Sequence, residues 1–322
     1  MKDEFNRNIE YIRLSVTDRC NLRCVYCMPE EGIELLQMSD LLTYEQIIRL
    51  CNIFASIGIS NIKLTGGEPL VRKGLSFLVR KMKEIPGINE VTMTTNGILL
   101  GDCIHDLKDA GLDAVNISLD TLNEETFQKI SRRSGVDKVI HGIDAAIKAG
   151  IARVKVNCVP LISNGNDDIC AIASLAKDRD ISVRFIEMMP IGLGKGFETM
   201  KEEDIRDLIS RNIGKMSFYS ERLGNGPAKY YSVDGFVDKI GFISAMSHEF
   251  CDTCNRIRLT ADGYLKTCLF YQKGVDLKSL LESDITDDEL TEVIKETIFD
   301  KPRGHKFHED GPEVRKMSQI GG

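Results

Sequence analysis

Six of the ten cysteines in this chain of 322 residues fall into two sets. Cys20, Cys24 and Cys27 are spaced Cys-x3-Cys-x2-Cys, and Cys251, Cys254 and Cys268 follow much later as Cys-x2-Cys-x13-Cys. Thiolates are ligands for soft metals. Three close together can hold three irons of a four-iron cubane, which leaves the fourth iron open to a small molecule. The same spacing also admits zinc, and His248 before Cys251 leaves a Cys3His zinc site open for the second set. Cys51, Cys103, Cys158 and Cys170 lie scattered in helix-like or strand-like stretches and are expected to be small buried hydrophobes.

Other groups with chemical potential accompany the cysteines. Thr65-Gly66-Gly67-Glu68-Pro69 is a glycine pair at the end of a strand-like run, where backbone can approach a ligand closely. Arg256 and Arg258 flank Ile257, and on a strand residues two apart share a face, so the two guanidiniums would point together toward a phosphate or a similar anion.

These groups need elements to position them. Strand-like runs recur at 11–16, 62–66, 91–96, 114–119, 153–159 and 182–188, separated by helical patterns at 44–57, 75–84, 103–110, 136–149, 167–178 and 201–211. Thr43 with Gln46 predicts a capping box, and Gly58, Gly111 and Gly150 predict helix stops. Strands alternating with helices imply a parallel sheet. About six units are present where a closed barrel needs eight, so the expected fold is α/β: a partial, open TIM-type (β/α)6 barrel over residues 1–220, with a smaller C-terminal α+β domain over 221–322. That second unit is expected to carry strands at 228–233, 236–243, 256–260 and 264–267 and helices near 276–283 and 286–298.

The strands alternate. One face is apolar (Ile12, Leu14, Ile62, Leu64, Val115, Ile117, Val154, Val156) and suits a cover of helices. The other carries Arg13, Ser15, Lys63, Thr65, Thr92, Thr94, Asn116, Ser118, Asp120, Arg153, Lys155 and Asn157. An ordinary barrel interior is packed with branched apolar side chains. A polar one predicts a wet or ligand-filled cavity, and the first cysteine set, directly after the first strand, would lie at its mouth.

Composition narrows the class further. Apolar residues make up 42% and charged residues 28%, ordinary globular values. No run is apolar for long enough to cross a bilayer and the N-terminus lacks a secretory pattern, so a cytoplasmic protein is expected, without membrane association. The formal net charge of −7 argues against a nucleic-acid partner. It leaves room for an anionic small molecule, because local charge decides that.

The cysteine motif with Tyr26 before its last cysteine, together with the Gly66-Gly67 segment, resembles the radical S-adenosylmethionine superfamily. Within it the chain resembles the GTP 3′,8-cyclase family of molybdenum-cofactor biosynthesis. The matching segments are Leu14 through Asn21, Leu64 through Pro69, Thr94 through Gly97, Asn116 through Asp120, Lys155 through Asn157, Arg184 through Glu187, Phe250 through Leu259, and the terminal Met317 through Gly322.

The resemblance implies two [4Fe-4S] clusters, the first on Cys20, Cys24 and Cys27 and the second on Cys251, Cys254 and Cys268. It implies S-adenosylmethionine contacts at Tyr26, Gly67, Ser118 and Met189, although a methionine ending a strand is by itself ordinary core. It implies GTP contacts at Arg13, Lys63, Thr94, Lys155, Arg256, Ile257 and Arg258, and catalytic roles for Arg256, Arg258, Gly321 and Gly322. Lys63 stands where arginine is expected from the family, and keeps the charge without the guanidinium fork. The implied partners are the GTP substrate, a reducing electron donor and a downstream pterin-forming enzyme, with the chain a monomer or homodimer. Two other readings stay open: a peptide-maturing radical enzyme with an auxiliary cluster, and a non-catalytic iron–sulfur or zinc protein.

Overall fold

The computed structural model describes residues 1–305, 313 and 315–321. Its elements run β1 (Tyr11–Ser15), α1 (Tyr44–Ser56), β2 (Asn61–Thr65), α2 (Leu75–Lys83), β3 (Glu90–Thr95), α3 (Leu100–Asp109), β4 (Ala114–Ser118), α4 (Glu124–Ser131), α5 (Val136–Lys148), β5 (Arg153–Cys158), α6 (Asn166–Asp178) and β6 (Ser182–Ile186). Then come α7 (Glu202–Asn212), β7 (Met216–Tyr219), β8 (Lys229–Val233), β9 (Lys239–Ile243), β10 (Arg256–Leu259), β11 (Tyr264–Lys266), β12 (Gly274–Asp276), α8 (Leu277–Leu281) and α9 (Asp287–Phe299).

Strands β1 to β6 lie side by side in chain order, all parallel. The sheet is open, so the expected partial barrel is what forms. Strands of the later chain extend both edges: β10 pairs parallel with β1 and carries β11 and β12, while β9 pairs parallel with β6 and carries β8 and β7. β10 therefore contributes to the same inner face as β1, although nearly the whole chain separates them.

The alternating pattern sorts as its chemistry requires. Ile12, Leu14, Ile62, Leu64, Val115, Ile117, Val154 and Val156 are buried in one continuous core with the apolar faces of the helices. In α1, for example, Ile47, Leu50, Cys51, Ile53 and Phe54 face inward, and the Thr43–Gln46 capping box closes its first turn. Gly58, Gly111 and Gly150 all have positive φ, the left-handed stop that glycine accepts without strain. Among the described residues, no helix is long and apolar enough to cross a membrane.

Helix α4 and strands β7 and β12 were not expected from the sequence. α4 buries only Phe127, Ile130 and Ser131, too few positions to establish a helical period. β7 and β12 are short edge strands with no buried residue in either, so neither has an alternation to detect.

Candidate functional site

The cysteine loop follows β1 and is held at both ends. Arg23 N–H donates to the Ser131 carbonyl and Val25 N–H to Ile130, both at 2.9 Å, so the end of α4 acts as its platform. Arg132, in the left-handed region at φ 55, donates from Nη1 to the carbonyls of Arg23 and Met28. The N–H groups of Cys27 and Met28 both donate to the Cys24 carbonyl, a tight turn that presents the thiols.

The thiols are electrostatically unfavourable as a group. Burial raises Cys24 well above its ordinary value, and Cys27, Asp120 and Cys20 add to the rise. Burial and Cys20 push Cys27 up to about 12, against hydrogen bonds involving Ser318. Burial also raises Cys20, whose sulfur accepts from Leu22 N–H at 3.4 Å and lies 3.9 Å from Asn96 Nδ2. Three half-buried thiols, with Arg23 beside Cys20 as their cationic support, suit a metal centre that supplies the positive charge itself.

The glycine segment packs backbone on backbone against that loop. Gly67 N–H donates to the Thr17 carbonyl at 2.7 Å and Glu68 N–H to Arg19 at 2.8 Å. A Cβ on Gly67 would meet the Arg19 carbonyl oxygen at 2.4 Å, and one on Gly66 the Thr17 carbonyl oxygen at 2.7 Å. Glu68 is buried and accepts from Leu70 N–H, Thr95 Oγ1 and Asn96 N–H. Burial nevertheless raises its carboxyl to about 7.

Four residues expected to contact one cofactor occur along one rim. Ser118 ends β4, Gly67 lies just beyond β2, Tyr26 is in the loop after β1, and Met189 follows β6. The Tyr26 hydroxyl donates to Asp120 Oδ2 at 2.7 Å, and Val159 N–H donates to Asp120 Oδ1. Met189 packs against Ile191, Phe270 and Ile320.

Deeper on the same face runs a row of cations. Arg258 is opposite Arg13 and Arg13 opposite Lys63 in strand register, while Asn116 is opposite both Thr94 and Lys155. Arg184 of β6 joins them, its guanidinium donating to Asn157 Oδ1 from Nε at 2.9 Å and from Nη2 at 2.6 Å. Burial lowers Lys63 well below its usual value, with Arg184, Arg13, Lys155 and Arg153 adding to the effect. Burial, then Arg184 and Arg153, bring Lys155 down to about 7. Burial, then Arg13 and Arg256, bring Arg258 to about 9. Mutually repelling buried cations await an anion. The Ile257 side chain instead lies in the outer core opposite Ile12, so only its backbone is available to the interior.

The second cysteine set has a different electrostatic setting. Burial alone would raise Cys254, but Lys301, Arg256 and hydrogen bonds involving Arg256 bring it to about 7. Arg7, paired with Asp3 at 2.6 Å, donates to the carbonyls of Cys251, Lys301, Pro302 and Arg303 and so ties this loop to the end of α9. The histidine grouped with Cys251 is His305, together with Glu249, whereas His248 is exposed. Burial instead raises Cys251, with Cys254, Cys268 and Glu249 adding to the rise, so the cationic support of this set is concentrated at Cys254, where it suits an anionic metal–sulfur group.

Gly321 reaches the inner face, and Arg258 Nη1 donates to its carbonyl at 2.8 Å. Gly322 lies outside the described residues. Three neighbours of the expected site were not among the sequence candidates, and two of them carried a local signal. Arg184 shares the polar phase of β6 with Ser182, and Glu68 stands inside the glycine segment. Tyr230, whose hydroxyl lies 3.2 Å from Lys155 Nζ, has no local signal because β8 reaches the site through sheet pairing.

The family model described as "Radical SAM superfamily" matches residues 14–176, and "Molybdenum Cofactor Synthesis C" matches 181–307. The chain is 44% identical to the GTP 3′,8-cyclase of Clostridium perfringens (strain 13 / Type A), with all of both chains covered. It is also 44% identical, again over the whole of both chains, to the GTP 3′,8-cyclase of Thermodesulfovibrio yellowstonii. Among solved structures it is similar to Streptococcus suis SuiB bound to S-adenosylmethionine, with a TM-score of 0.62 and 14% identity, covering 95% of this chain and 75% of that one. That likeness is one of fold.

Proposed function

The chain belongs to the GTP 3′,8-cyclase family of the radical S-adenosylmethionine superfamily, and from that premise we infer how its residues divide the work. The enzyme is a lyase that cyclises GTP to (8S)-3′,8-cyclo-7,8-dihydroguanosine 5′-triphosphate, the first step of molybdenum-cofactor biosynthesis. It uses a [4Fe-4S] cluster and S-adenosylmethionine. When bound, these supply the one-electron chemistry that removes the ribose C3′ hydrogen, so that C3′ can bond to guanine C8.

The assignment of residues is our reading. Cys20, Cys24 and Cys27 hold the cluster, and Tyr26, Gly67, Ser118 and Met189 seat S-adenosylmethionine along the rim. Arg13, Lys63, Thr94, Lys155 and Arg258, with Arg256, the Ile257 backbone and Arg184, bind GTP. The single observation that carries this is the buried cation row, which neutralises a triphosphate and turns the nucleotide's ribose toward the rim. Arg256, Arg258, Gly321 and Gly322 act at the reacting end. Cys251, Cys254 and Cys268 hold a second [4Fe-4S] cluster, supported by the cations beside Cys254. Residues 1–220 form the radical S-adenosylmethionine partial barrel, and 221–322 form the C-terminal domain that carries the second cluster and the Gly-Gly tail. A reducing electron donor supplies the electron, a pterin-forming enzyme takes the product, and the work is done in the cytoplasm by a monomer or homodimer.

The test is anaerobic. After reconstitution with iron and sulfide, 5′-deoxyadenosine is quantified with reductant, S-adenosylmethionine and either GTP, ATP or no nucleotide. Strong stimulation by GTP alone is expected. Release indifferent to nucleotide would refute the substrate assignment.

A further inference from the structure

The tail is anchored well before it reaches the reacting end. Ser318 stands at Cys27, and Ile320 is buried with Ile191 and Phe270 in a small core on which Met189 and Cys268 also pack. Gly321, at φ 73, sits so close to the ends of β1 and β2 that an added Cβ would lie 2.7 Å from Thr65 Oγ1 and 3.2 Å from Ser15 Cβ. A few residues thus touch both cysteine sets and the rim. Chain ends fray unless tied down, and one isoleucine with one 3₁₀ turn is a small anchor.

A stronger one lies upstream. Glu313 forms an ion pair with Lys266, the last residue of β11, and their side chains are only 3% and 1% exposed. Arg315 follows, with its guanidinium 4.9 Å from the Tyr264 ring centre and 3.9 Å from Asp262. A buried ion pair is a poor source of net stability but a stringent one of position, because separating the partners leaves a charge buried alone.

We propose that the Lys266–Glu313 pair is the latch that holds the C-terminal tail over the ends of β1 and β2, which makes Glu313 a positioning residue for the cyclisation. The catalytic half of this rests on the reading that the terminal glycines serve the reaction. The docking half does not.

The test uses the full-length reconstituted enzyme and Glu313→Gln, with Glu313→Asp as the conservative variant. Breaking the pair should speed deuterium uptake over residues 315–321 by on the order of tenfold or more. The rate of cyclic product formation should fall by about the same factor while KM for GTP stays within about twofold, since only positioning is lost. Iron content should be unchanged, and Glu313→Asp should restore most of the rate. If Glu313→Gln does not fold, Lys266→Met/Glu313→Ala removes both charges and also truncates the side chain that reaches β11, and should fold with the tail released. Uptake unchanged in whichever variant folds would overturn the latch. Faster uptake with an unchanged rate would overturn the positioning role. Uptake needs no turnover, so failure of the GTP assignment would show separately, as wild-type enzyme that GTP does not stimulate.

Discussion

Arg13 of β1 and Arg258 of β10 stand opposite each other as register partners, on parallel strands drawn from the two ends of the chain. Lys63 flanks Arg13 on the other side. Adjacent buried cations are a cost until an anion arrives, and a triphosphate is the anion that the reaction brings.

The two arginines of β10 should therefore separate by phenotype. Arg258→Ala removes a cation from the row while leaving the Arg256 and Lys301 contacts of Cys254 in place, and should weaken GTP binding by about 1.5–3 kcal/mol, the scale of a hydrogen bond to a charged group. Iron content should stay at wild type. Arg256→Ala also strips Cys254 of a hydrogen bond and a nearby positive charge, so it should reduce iron retention as well as affinity. Equilibrium binding of GTP with iron analysis on both variants decides this. Equal iron loss in the two would disprove the separation.

Lys155 gives the row a pH dependence. Its folded value is about 7 because burial, with Arg184 and Arg153 behind it, disfavours the charge. Above about pH 7 the free enzyme holds Lys155 neutral, and a bound triphosphate must restore its proton. GTP affinity should therefore fall as pH rises above 7, by up to about tenfold per pH unit for one proton. The terminal phosphate's own last ionisation lies near about 6 and does not confuse that window. Calorimetry in two buffers of different ionisation enthalpy should report proton uptake at pH 8, and Lys155→Met should reduce it, with any remainder assigned to Lys63, which burial also lowers. Uptake unchanged in that variant would place the proton elsewhere.

Much of this arrangement is legible in local sequence because the period-two alternation of β1 to β6 is unusually clean. Ile12 and Leu14 against Arg13 and Ser15 already separate an outer from an inner face. Arg184 carried the same signal, between Val183 and Phe185. Nothing local to residues 256–259 marks β1 as their partner: that pairing is tertiary, and it is what brings Arg258 to Arg13. The Ser131 end of α4 was hidden for a different reason, since a platform built from backbone carbonyls leaves no side-chain pattern. For Gly66 and Gly67 the sequence suggested close backbone approach, and the neighbour that approaches is the cysteine loop itself.

Glu68 makes that contact pH-sensitive. Its carboxyl is raised from 4.5 to about 7 by burial, against the hydrogen bonds from Asn96, Leu70 and Thr95. The folded state thus takes up a proton that the unfolded state releases between pH 4.5 and 7, and this group's contribution to stability falls as pH rises through that window. In Glu68→Gln the slope should vanish, and the amide NH2 would face either the Asn96 N–H or the donors on the other oxygen. The unmade hydrogen bond should cost about 1–3 kcal/mol, read from denaturant midpoints at pH 5 and pH 8. A variant as stable as wild type, with the same pH slope, would remove Glu68 from this role.

Gly67→Ala tests the tightest contact in the site. The added Cβ would lie 2.4 Å from the Arg19 carbonyl oxygen and 2.6 Å from that of Asp18, both backbone atoms. Neither can rotate away, and Cys20 follows Arg19 directly, so relief must come from displacing the cysteine loop. Overpacking of this kind costs about 1–3 kcal/mol. The loss should concentrate at the first cysteine set: reconstituted iron should drop by one cluster's worth and S-adenosylmethionine binding should disappear, while far-UV circular dichroism is preserved. Gly150→Ala is the matched control. Gly150 sits at φ 70 with nothing within 4 Å of an added Cβ, so only the strain of a left-handed alanine applies, roughly 1–2 kcal/mol, with no loss of iron. If the two variants destabilise alike and both keep full iron, the Gly67 contact with the loop is not what shapes the first site.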